Sequence, residues 1–237
     1  MEKIITYENL RNFAYSNDRL IKGKIRGIVL FFYGLGFSSM QNNDPADAKE
    51  YAAQGILYVV PYCNPWCWMN REAVQLTDEI ISVLVDHYAL SDEVRMVSTG
   101  ISMGGLAALT YCAYAERTPI ACVANCPVCD LPYHFTERED LPRTLYSAFF
   151  SYDGDIEEAM RSASPIHLAP QMPHISYTIF HCEEDLAVNV DRHSRRFVEA
   201  MQPYGEVTLI TVPFRGHGDL SAEARVQYRQ AILAALA

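Results

Sequence analysis

Short apolar runs alternate with longer amphipathic segments along most of this chain. Residues 25–33 form a run of apolar, β-branched and aromatic side chains that ends at a glycine, which predicts a buried strand. Residues 72–87 predict a helix instead, because their apolar positions recur on one helical face. Strands that alternate with helices are typical of an α/β domain, in which a mostly parallel, twisted sheet carries helices on both faces.

The same alternation continues to the end of the chain. The predicted strands are 25–33, 56–61, 94–100, 120–124, 177–182 and 207–212, and the predicted helices are 46–54, 72–87, 103–114, 191–201 and 221–236. Residues 130–173 interrupt this pattern, because they are rich in Pro, Tyr, Phe and charge and are too long for an ordinary connection. We expect a single domain over residues 1–237, with 130–173 as an insertion that carries its own helices or acts as a small lid.

Composition and charge exclude several classes of protein. Half of the 237 residues are hydrophobic and only 20% are charged, which is too apolar for a disordered chain. The 19 basic and 29 acidic residues give a net charge of −10 without a basic cluster, which argues against binding to nucleic acid or to anionic membranes. No apolar run approaches the ~20 residues that cross a bilayer, and no secretory signal is visible. We expect a cytoplasmic protein with no membrane partner, and a homodimer stays open.

Seven cysteines raise the question of disulfides and metal binding. Because their number is odd and no secretory signal precedes them, we predict reduced and mostly buried thiols. The pairs Cys63/Cys67 and Cys126/Cys129 resemble zinc-ligand spacings, but no second pair of Cys or His completes a set of four ligands. The sequence therefore predicts no metal and no other cofactor.

The strongest chemical signal is a Gly-x-Ser-x-Gly sequence at residues 100–104, between a predicted strand and a predicted helix. A serine on such a tight turn exposes its hydroxyl above the sheet, and small neighbours let the strand and the helix pass close together. The N-terminus of the helix adds partial positive charge where an oxyanion would form. Ser102 is therefore the predicted nucleophile, and an ordinary glycine-rich turn is the alternative.

A serine nucleophile needs a base, and in this topology the base comes last along the chain. His217 follows the last predicted strand and lies between two glycines, which would let its ring approach Ser102. His181, at the end of the strand 177–182, is the rival base. A loop histidine that faces solvent is the alternative interpretation of His217.

The acid that orients the base is expected in the loop after strand 177–182, where three carboxylates are adjacent. Asp185 precedes an apolar segment that would draw it inward. Glu183 and Glu184 are expected to face water, because adjacent charges usually do so. Asp185 is favoured as the acid, and Glu184 is the second choice.

An oxyanion hole needs two backbone N–H groups that point to one position. Met103, directly after the nucleophile, is predicted to supply one of them. The other is expected from the loop 33–39, whose glycines allow a suitable turn. Leu35 is the favoured donor and Gly36 is the alternative, because the sequence does not determine the register of the turn.

The substrate pocket is predicted from aromatic residues near the same edge of the sheet. Trp66 and Trp68 lie in the loop after the strand 56–61, and Tyr33 begins the first strand–helix loop. Aromatic side chains in these positions are suited to walling an acyl or aryl pocket. They are equally suited to packing the loop onto the core.

These segments together resemble the α/β-hydrolase family over nearly the whole chain. The resemblance rests on Tyr-Gly-Leu-Gly at 33–36, Gly-Ile-Ser-Met-Gly-Gly at 100–105, His-Cys-Glu-Glu-Asp-Leu-Ala-Val at 181–188 and Arg-Gly-His-Gly at 215–218. More narrowly, the chain is similar to the catalytic domain of the prolyl oligopeptidase family and to its small esterase relatives. Supporting segments are Cys-Pro-Val-Cys-Asp at 126–130 and Ser-Pro-Ile at 164–166.

The resemblance implies a serine hydrolase with a covalent acyl-enzyme, acting on a small ester, amide or thioester. The first loop departs from the family, since it begins Tyr33-Gly34 where His-Gly is usual. Peptidases of the family carry a β-propeller ahead of the catalytic domain, and residues 1–24 leave no room for one, which favours a small substrate. A small serine aminopeptidase or oligopeptidase acting on short peptides, and a non-catalytic binding protein of the same fold, are the alternatives.

Overall fold

The computed structural model describes residues 4–36, 41 and 43–237. The strands are β1 (Ala14–Ser16), β2 (Gly27–Phe32), β3 (Ile56–Pro61), β4 (Arg95–Ile101), β5 (Ala121–Asn125), β6 (Ser176–Cys182) and β7 (Val207–Val212). Within the described residues they form one sheet of seven strands in the order β1-β3-β2-β4-β5-β6-β7. Only β1 runs antiparallel to its neighbour, β3. The mostly parallel sheet predicted from the sequence is therefore confirmed.

Helices cover both faces of this sheet. They are α1 (Ala46–Ala53), α2 (Arg71–His87), α3 (Met103–Tyr114), α4 (Leu131–His134), α5 (Leu141–Ala148), α6 (Ile156–Ser162), α7 (Pro165–Leu168), α8 (Arg196–Met201) and α9 (Ala222–Leu236). Along β2, Ile28 and Leu30 pack in a core shared with α2 and α3, whereas Val29 packs in a core shared with α1 and α9. Burial on both faces explains why β2 is a continuous apolar run.

Two local features differ from the predicted pattern. Strand β1 was not predicted, because three residues are too few to show a period of two. The predicted helix 191–201 begins as a π-helical turn, Asp191–Arg195, and continues as α8. A single turn of five residues is too short for the spacing of apolar positions to distinguish a π-helix from an α-helix.

The long segment between β5 and β6 folds as α4 to α7 followed by a short 3-10 turn. Its leucines Leu131, Leu141 and Leu145 are fully buried in the main core. The indole N–H of Trp68 donates to Thr144 Oγ1 at 3.0 Å, which ties the segment to the loop after β3. The segment has the helices expected of it, and a lid role stays a prediction. Among the described residues, none of the helices has the length and apolar character that a bilayer crossing requires.

Candidate active site

Ser102 lies at the junction between β4 and α3, in a strained backbone conformation. Its φ of 60° and ψ of −123° belong to a region that residues with a side chain rarely adopt. Its N–H donates to the Asn125 carbonyl at 2.9 Å, and its own carbonyl accepts from the Leu106 N–H at 3.0 Å. These bonds hold the turn, so the serine side chain is presented at the carboxyl edge of the sheet.

The glycines on either side of Ser102 are required by close backbone contacts. A Cβ on Gly104 would overlap the carbonyl group of Phe32, and a Cβ on Gly100 would overlap that of Gly104. A Cβ on Gly34 would lie 3.5 Å from Ser102 Cβ, which shows how closely the first loop approaches the serine. No other residue type fits at positions 100 and 104 without separating α3 from the sheet.

The loops after β6 and β7 bring Asp185 and His217 together. His217 Nδ1 lies 2.6 Å from Asp185 Oδ2, and the other carboxylate oxygen accepts the N–H groups of Ala187 and Val188 at 2.9 Å each. Burial by itself would raise the pKa of Asp185, but the nearby N–H of His181 and the hydrogen bonds from His217 and Val188 outweigh it and hold that pKa well below the usual carboxyl value. An ionised carboxylate fixes the Nδ1–H tautomer of His217, which leaves Nε2 for proton transfer.

The structure separates Asp185 from the neighbouring carboxylates. Glu183 and Glu184 are exposed, whereas Asp185 is buried. The backbone N–H of Glu184 donates to the Arg215 carbonyl at 3.0 Å, which joins the acid loop to the loop that carries His217. Glu184, the second choice for the acid, therefore contributes its backbone here while its side chain faces water.

His181, the rival base, is fully buried and both of its ring nitrogens have partners. Nε2 lies 2.9 Å from the Val188 carbonyl oxygen, and Nδ1 lies 2.6 Å from Ser194 Oγ. A ring in this position is not accessible to a substrate. Of the two candidate histidines, only His217 is partly exposed, with 29% of its side chain accessible.

Asn125 and Cys126, at the end of β5, connect the nucleophile turn to the histidine loop. The Asn125 side-chain amide donates to the Gly218 carbonyl at 3.1 Å, while its backbone carbonyl accepts from Ser102. Cys126 Sγ accepts the Gly218 N–H at 3.4 Å. Burial raises the pKa of the Cys126 thiol, so it acts as a neutral acceptor here. Neither residue was predicted, although a polar side chain that ends an apolar strand is a usable signal.

The candidate oxyanion donors differ in what their N–H groups already bind. The Gly36 N–H donates to the Pro65 carbonyl at 2.9 Å, which removes the alternative donor. Met103 is the first residue of α3, and an N–H in that position has no acceptor within the helix. Met103 and Leu35 stay the predicted donors. Residues 37–39 of the first loop lie outside the described residues.

A cavity of about 250 Å³ adjoins Met103 at this edge of the sheet. Among the described residues its walls carry no charged side chain and are formed by Phe32, Tyr33, Pro61, Tyr62, Cys63, Asn64, Pro65, Cys67, Met103 and Ala107. Trp68 does not line this cavity, because it is fully buried and packs the loop against the insertion, which was the alternative interpretation of these aromatic residues. Trp66 is half-buried, and the guanidinium of Arg143 lies 5.0 Å from its ring centroid.

A match to a protein-family model shows which family the chain belongs to. The model of the prolyl oligopeptidase family (Peptidase_S9) matches residues 74–236, well over half of the chain. The chain belongs to the prolyl oligopeptidase family. The matched residues include Ser102, Asp185 and His217, whereas Leu35 lies before them. No curated protein matches the sequence significantly.

Solved structures share the fold of this prolyl oligopeptidase-family chain. An acylaminoacyl peptidase in complex with Z-Gly-Gly-Phe-chloromethyl ketone is 17% identical with a TM-score of 0.70, over 90% of this chain and 36% of that one. A puromycin-hydrolyzing peptidase of Mycobacterium tuberculosis is 19% identical with a TM-score of 0.74, over 91% and 34%. Esterase 2 of Thermogutta terrifontis is 18% identical with a TM-score of 0.63, over 94% and 86%. The chain spans about a third of both peptidases, and these likenesses confirm the α/β-hydrolase fold.

Two groups of side chains contain the residue types that bind metals. Among the described residues these groups are Cys126, His181 and Asp185, and His134, Glu137 and His193. His193 Nδ1 accepts the Cys129 N–H at 3.1 Å, so in the neutral ring Nε2 carries the proton and donates to Glu137 at 2.9 Å. A nitrogen that donates a proton does not bind a metal. Hydrogen bonding therefore accounts for the second group. In the first group, His181 is bonded to Ser194 and Val188, Asp185 is bonded to His217, and Cys126 accepts the Gly218 N–H.

Proposed function

We propose that this protein is a serine hydrolase that cleaves small esters, amides or thioesters through an acyl-enzyme. The observation that carries the proposal is the 2.6 Å contact between His217 and the buried Asp185, at the sheet edge where Ser102 occupies its strained turn. A base, an orienting acid and an accessible serine are the three groups that this chemistry needs, and Ser102 is partly exposed. Membership of the prolyl oligopeptidase family agrees with this assignment.

In the proposed reaction, Ser102 Oγ attacks the substrate carbonyl carbon while His217 Nε2 accepts its proton. The imidazolium that forms is stabilised by the Asp185 carboxylate, and the same proton passes to the leaving group as the acyl-enzyme forms. The backbone N–H groups of Met103 and Leu35 stabilise the tetrahedral oxyanion. Water, activated by His217 in the same way, then releases the acid and restores Ser102.

The cavity beside Met103 favours small and uncharged groups. A volume of about 250 Å³ accommodates a short acyl chain or a single ring. The part of its lining that the structure describes offers no carboxylate that would hold the free amino terminus of a peptide. The esterase similar to this chain is also close to it in length, since the matched region covers 86% of that esterase.

A small serine aminopeptidase or oligopeptidase is the second candidate. It is favoured by the peptidases among the similar structures, which are an acylaminoacyl peptidase and a puromycin-hydrolyzing peptidase. Peptidase and esterase share the nucleophile, base and acid. They differ in whether an amine or an alcohol leaves, so substrate assays separate them.

The experiment is a side-by-side assay of p-nitrophenyl esters of increasing acyl length and of aminoacyl p-nitroanilides. We expect the short esters to be hydrolysed fastest, and a fluorophosphonate probe to label the protein once, at Ser102. Ser102→Ala should lose both turnover and labelling while the fold stays intact. Ser151→Ala, on the exposed surface of the insertion, is the matched control and should keep both. Faster anilide hydrolysis would favour the peptidase, and activity retained by Ser102→Ala would contradict the mechanism.

A further inference from the structure

His181 is a buried titratable group that the proposed mechanism does not use, although it lies directly behind Asp185. Its side chain is fully buried. Its Nε2 atom lies 2.9 Å from the Val188 carbonyl oxygen and 3.5 Å from Asp185 Oδ2. Its Nδ1 atom lies 2.6 Å from Ser194 Oγ. The ring therefore connects the carboxylate to the helix that follows.

The partners of the two nitrogens determine which of them carries the proton. Both atoms near Nε2 are acceptors, so Nε2 carries a proton. In the neutral ring Nδ1 is then an acceptor, and it receives the hydroxyl proton of Ser194. The N–H edge of the His181 ring consequently faces Asp185 and Val188.

Val188 gives His181 a second route to the same carboxylate. Its carbonyl accepts from His181, and its N–H donates to Asp185 Oδ1 at 2.9 Å. His181 therefore acts on Asp185 Oδ2 electrostatically, because their separation is longer than a good hydrogen bond. It acts on Asp185 Oδ1 indirectly, by holding Val188, whose N–H binds that oxygen. Both effects keep the carboxylate facing His217.

The π-helical turn Asp191–Arg195 explains how Ser194 reaches His181. Its neighbour His193 turns to the backbone N–H of Cys129, whereas Ser194 turns to His181, and both side chains are fully buried. Such turns are rare and frequently lie at functional sites. Here the turn aims two adjacent side chains at two different clusters.

We infer that His181, oriented by Ser194, is a positioning residue that aims the Asp185 carboxylate at His217. This inference rests on the proposed function for its kinetic consequence, and on the hydrogen bonds alone for its structural one. Loss of the Nε2 proton donor should lower kcat, because a misaligned acid no longer holds His217 in the productive tautomer. KM should change little, since His181 is buried away from any substrate.

Two amide substitutions separate the roles of the two nitrogens. The amide nitrogen of His181→Gln reaches the position of Nε2, whereas that of His181→Asn reaches only the position of Nδ1. We expect kcat to fall about 30- to 100-fold in His181→Asn and less than about fivefold in His181→Gln, with KM within about threefold in both. Thermal unfolding of the two variants provides the check on folding. Ser194→Ala, a milder change, should lower kcat about threefold without changing KM.

A measurement that needs no turnover distinguishes this inference from the proposed function. The His217 Nδ1 proton, bonded to Asp185 at 2.6 Å, should give a far-downfield NMR resonance. We expect the resonance to persist in His181→Gln and to move upfield or vanish in His181→Asn. If that happens while Ser102 reacts with no substrate or probe, the positioning role stands and the proposed function fails. Equal kcat values and equal resonances in the two variants would overturn the inference, as would an unchanged resonance and kcat in Ser194→Ala should the His181 variants not fold.

Discussion

Two clusters in this protein contain the same residue types, two histidines and one carboxylate, in different surroundings. The edge cluster is His181, Asp185 and His217, and the insertion cluster is His134, Glu137 and His193. In the edge cluster, 29% of the His217 side chain is exposed at the edge that presents Ser102. In the insertion cluster, the exposed fractions of the His134 and His193 side chains are 3% and 0%. The same residue types therefore do not suffice for catalysis, because a histidine base also needs a nucleophile beside it and access for the substrate.

The two carboxylates are nevertheless held in the same electrostatic state. Burial would raise the pKa of Glu137, but hydrogen bonds from His134 and His193 lower it to about 2. Burial lowers the pKa of His134, and its hydrogen bond to Glu137 opposes that effect. A neutral imidazole pair that donates to one carboxylate ties α4 to the π-helical turn. The insertion cluster therefore stabilises the fold, and we propose catalysis only for the edge cluster.

Neutralising the carboxylate of the edge cluster should affect turnover more than any other change to the two clusters. Asp185→Asn should lower kcat on the preferred ester by about 10⁴-fold, because the amide imposes the wrong tautomer on His217. Steady-state kinetics measures it. Glu184→Gln is the matched control on the exposed neighbour and should change kcat less than about twofold. A larger loss in Glu184→Gln than in Asp185→Asn would assign the acid to the wrong residue.

The corresponding change in the insertion cluster should affect stability instead of turnover. Glu137→Gln removes the charge from two hydrogen bonds, so we expect the free energy of unfolding to fall by about 2 kcal/mol. Denaturant unfolding measures this, and kcat should stay within about threefold of the wild type. A loss of kcat comparable to that of Asp185→Asn would show that the two clusters are not separate.

Acid should reveal the same interaction in the wild type. The folded-state pKa of Glu137 is about 2, below the unfolded value of about 4.3, so its ionised form favours the folded state. This stability is fully present above about pH 4.3 and is lost as the pH falls toward about 2. Between those values, the free energy of unfolding should decrease more steeply in the wild type than in Glu137→Gln. Equal slopes in urea titrations would contradict the assignment.

The smallest expected effect concerns the loop that joins the cavity to the insertion. Trp68→Phe removes the donor to Thr144 and keeps most of the buried ring, so unfolding should become easier by about 1 kcal/mol. KM should not change, because Trp68 packs behind the cavity. The matched comparison is Tyr33→Leu, which alters a cavity wall and should change the preferred acyl length. A change of KM in Trp68→Phe without one in Tyr33→Leu would indicate that Trp68 contacts the substrate.

The parts of the site that were predictable are those with a strong local constraint. The turn around Ser102 could be predicted because the close contact between the strand and the helix leaves room only for glycine on either side of it. The position of His217 in the β7–α9 loop could be predicted because it lies between two glycines after an apolar strand. In contrast, Asn125, His181 and Ser194 act through partners up to 93 positions away, such as the Gly218 carbonyl. Local sequence carries no record of such pairings.

Local sequence was enough to predict the parallel sheet, the order in which the loops of Ser102, Asp185 and His217 follow one another, and the tight turn at Ser102, since each follows from periodicity or from backbone geometry over a few residues. Only the folded structure shows how Trp68 packs and that the His181 ring lies buried behind Asp185. The physical reason is that burial and hydrogen-bond partners depend on elements that meet only in the folded chain. His181 lies in β6 and His217 in the loop after β7, and their surroundings in the fold leave the first ring fully buried and the second partly exposed.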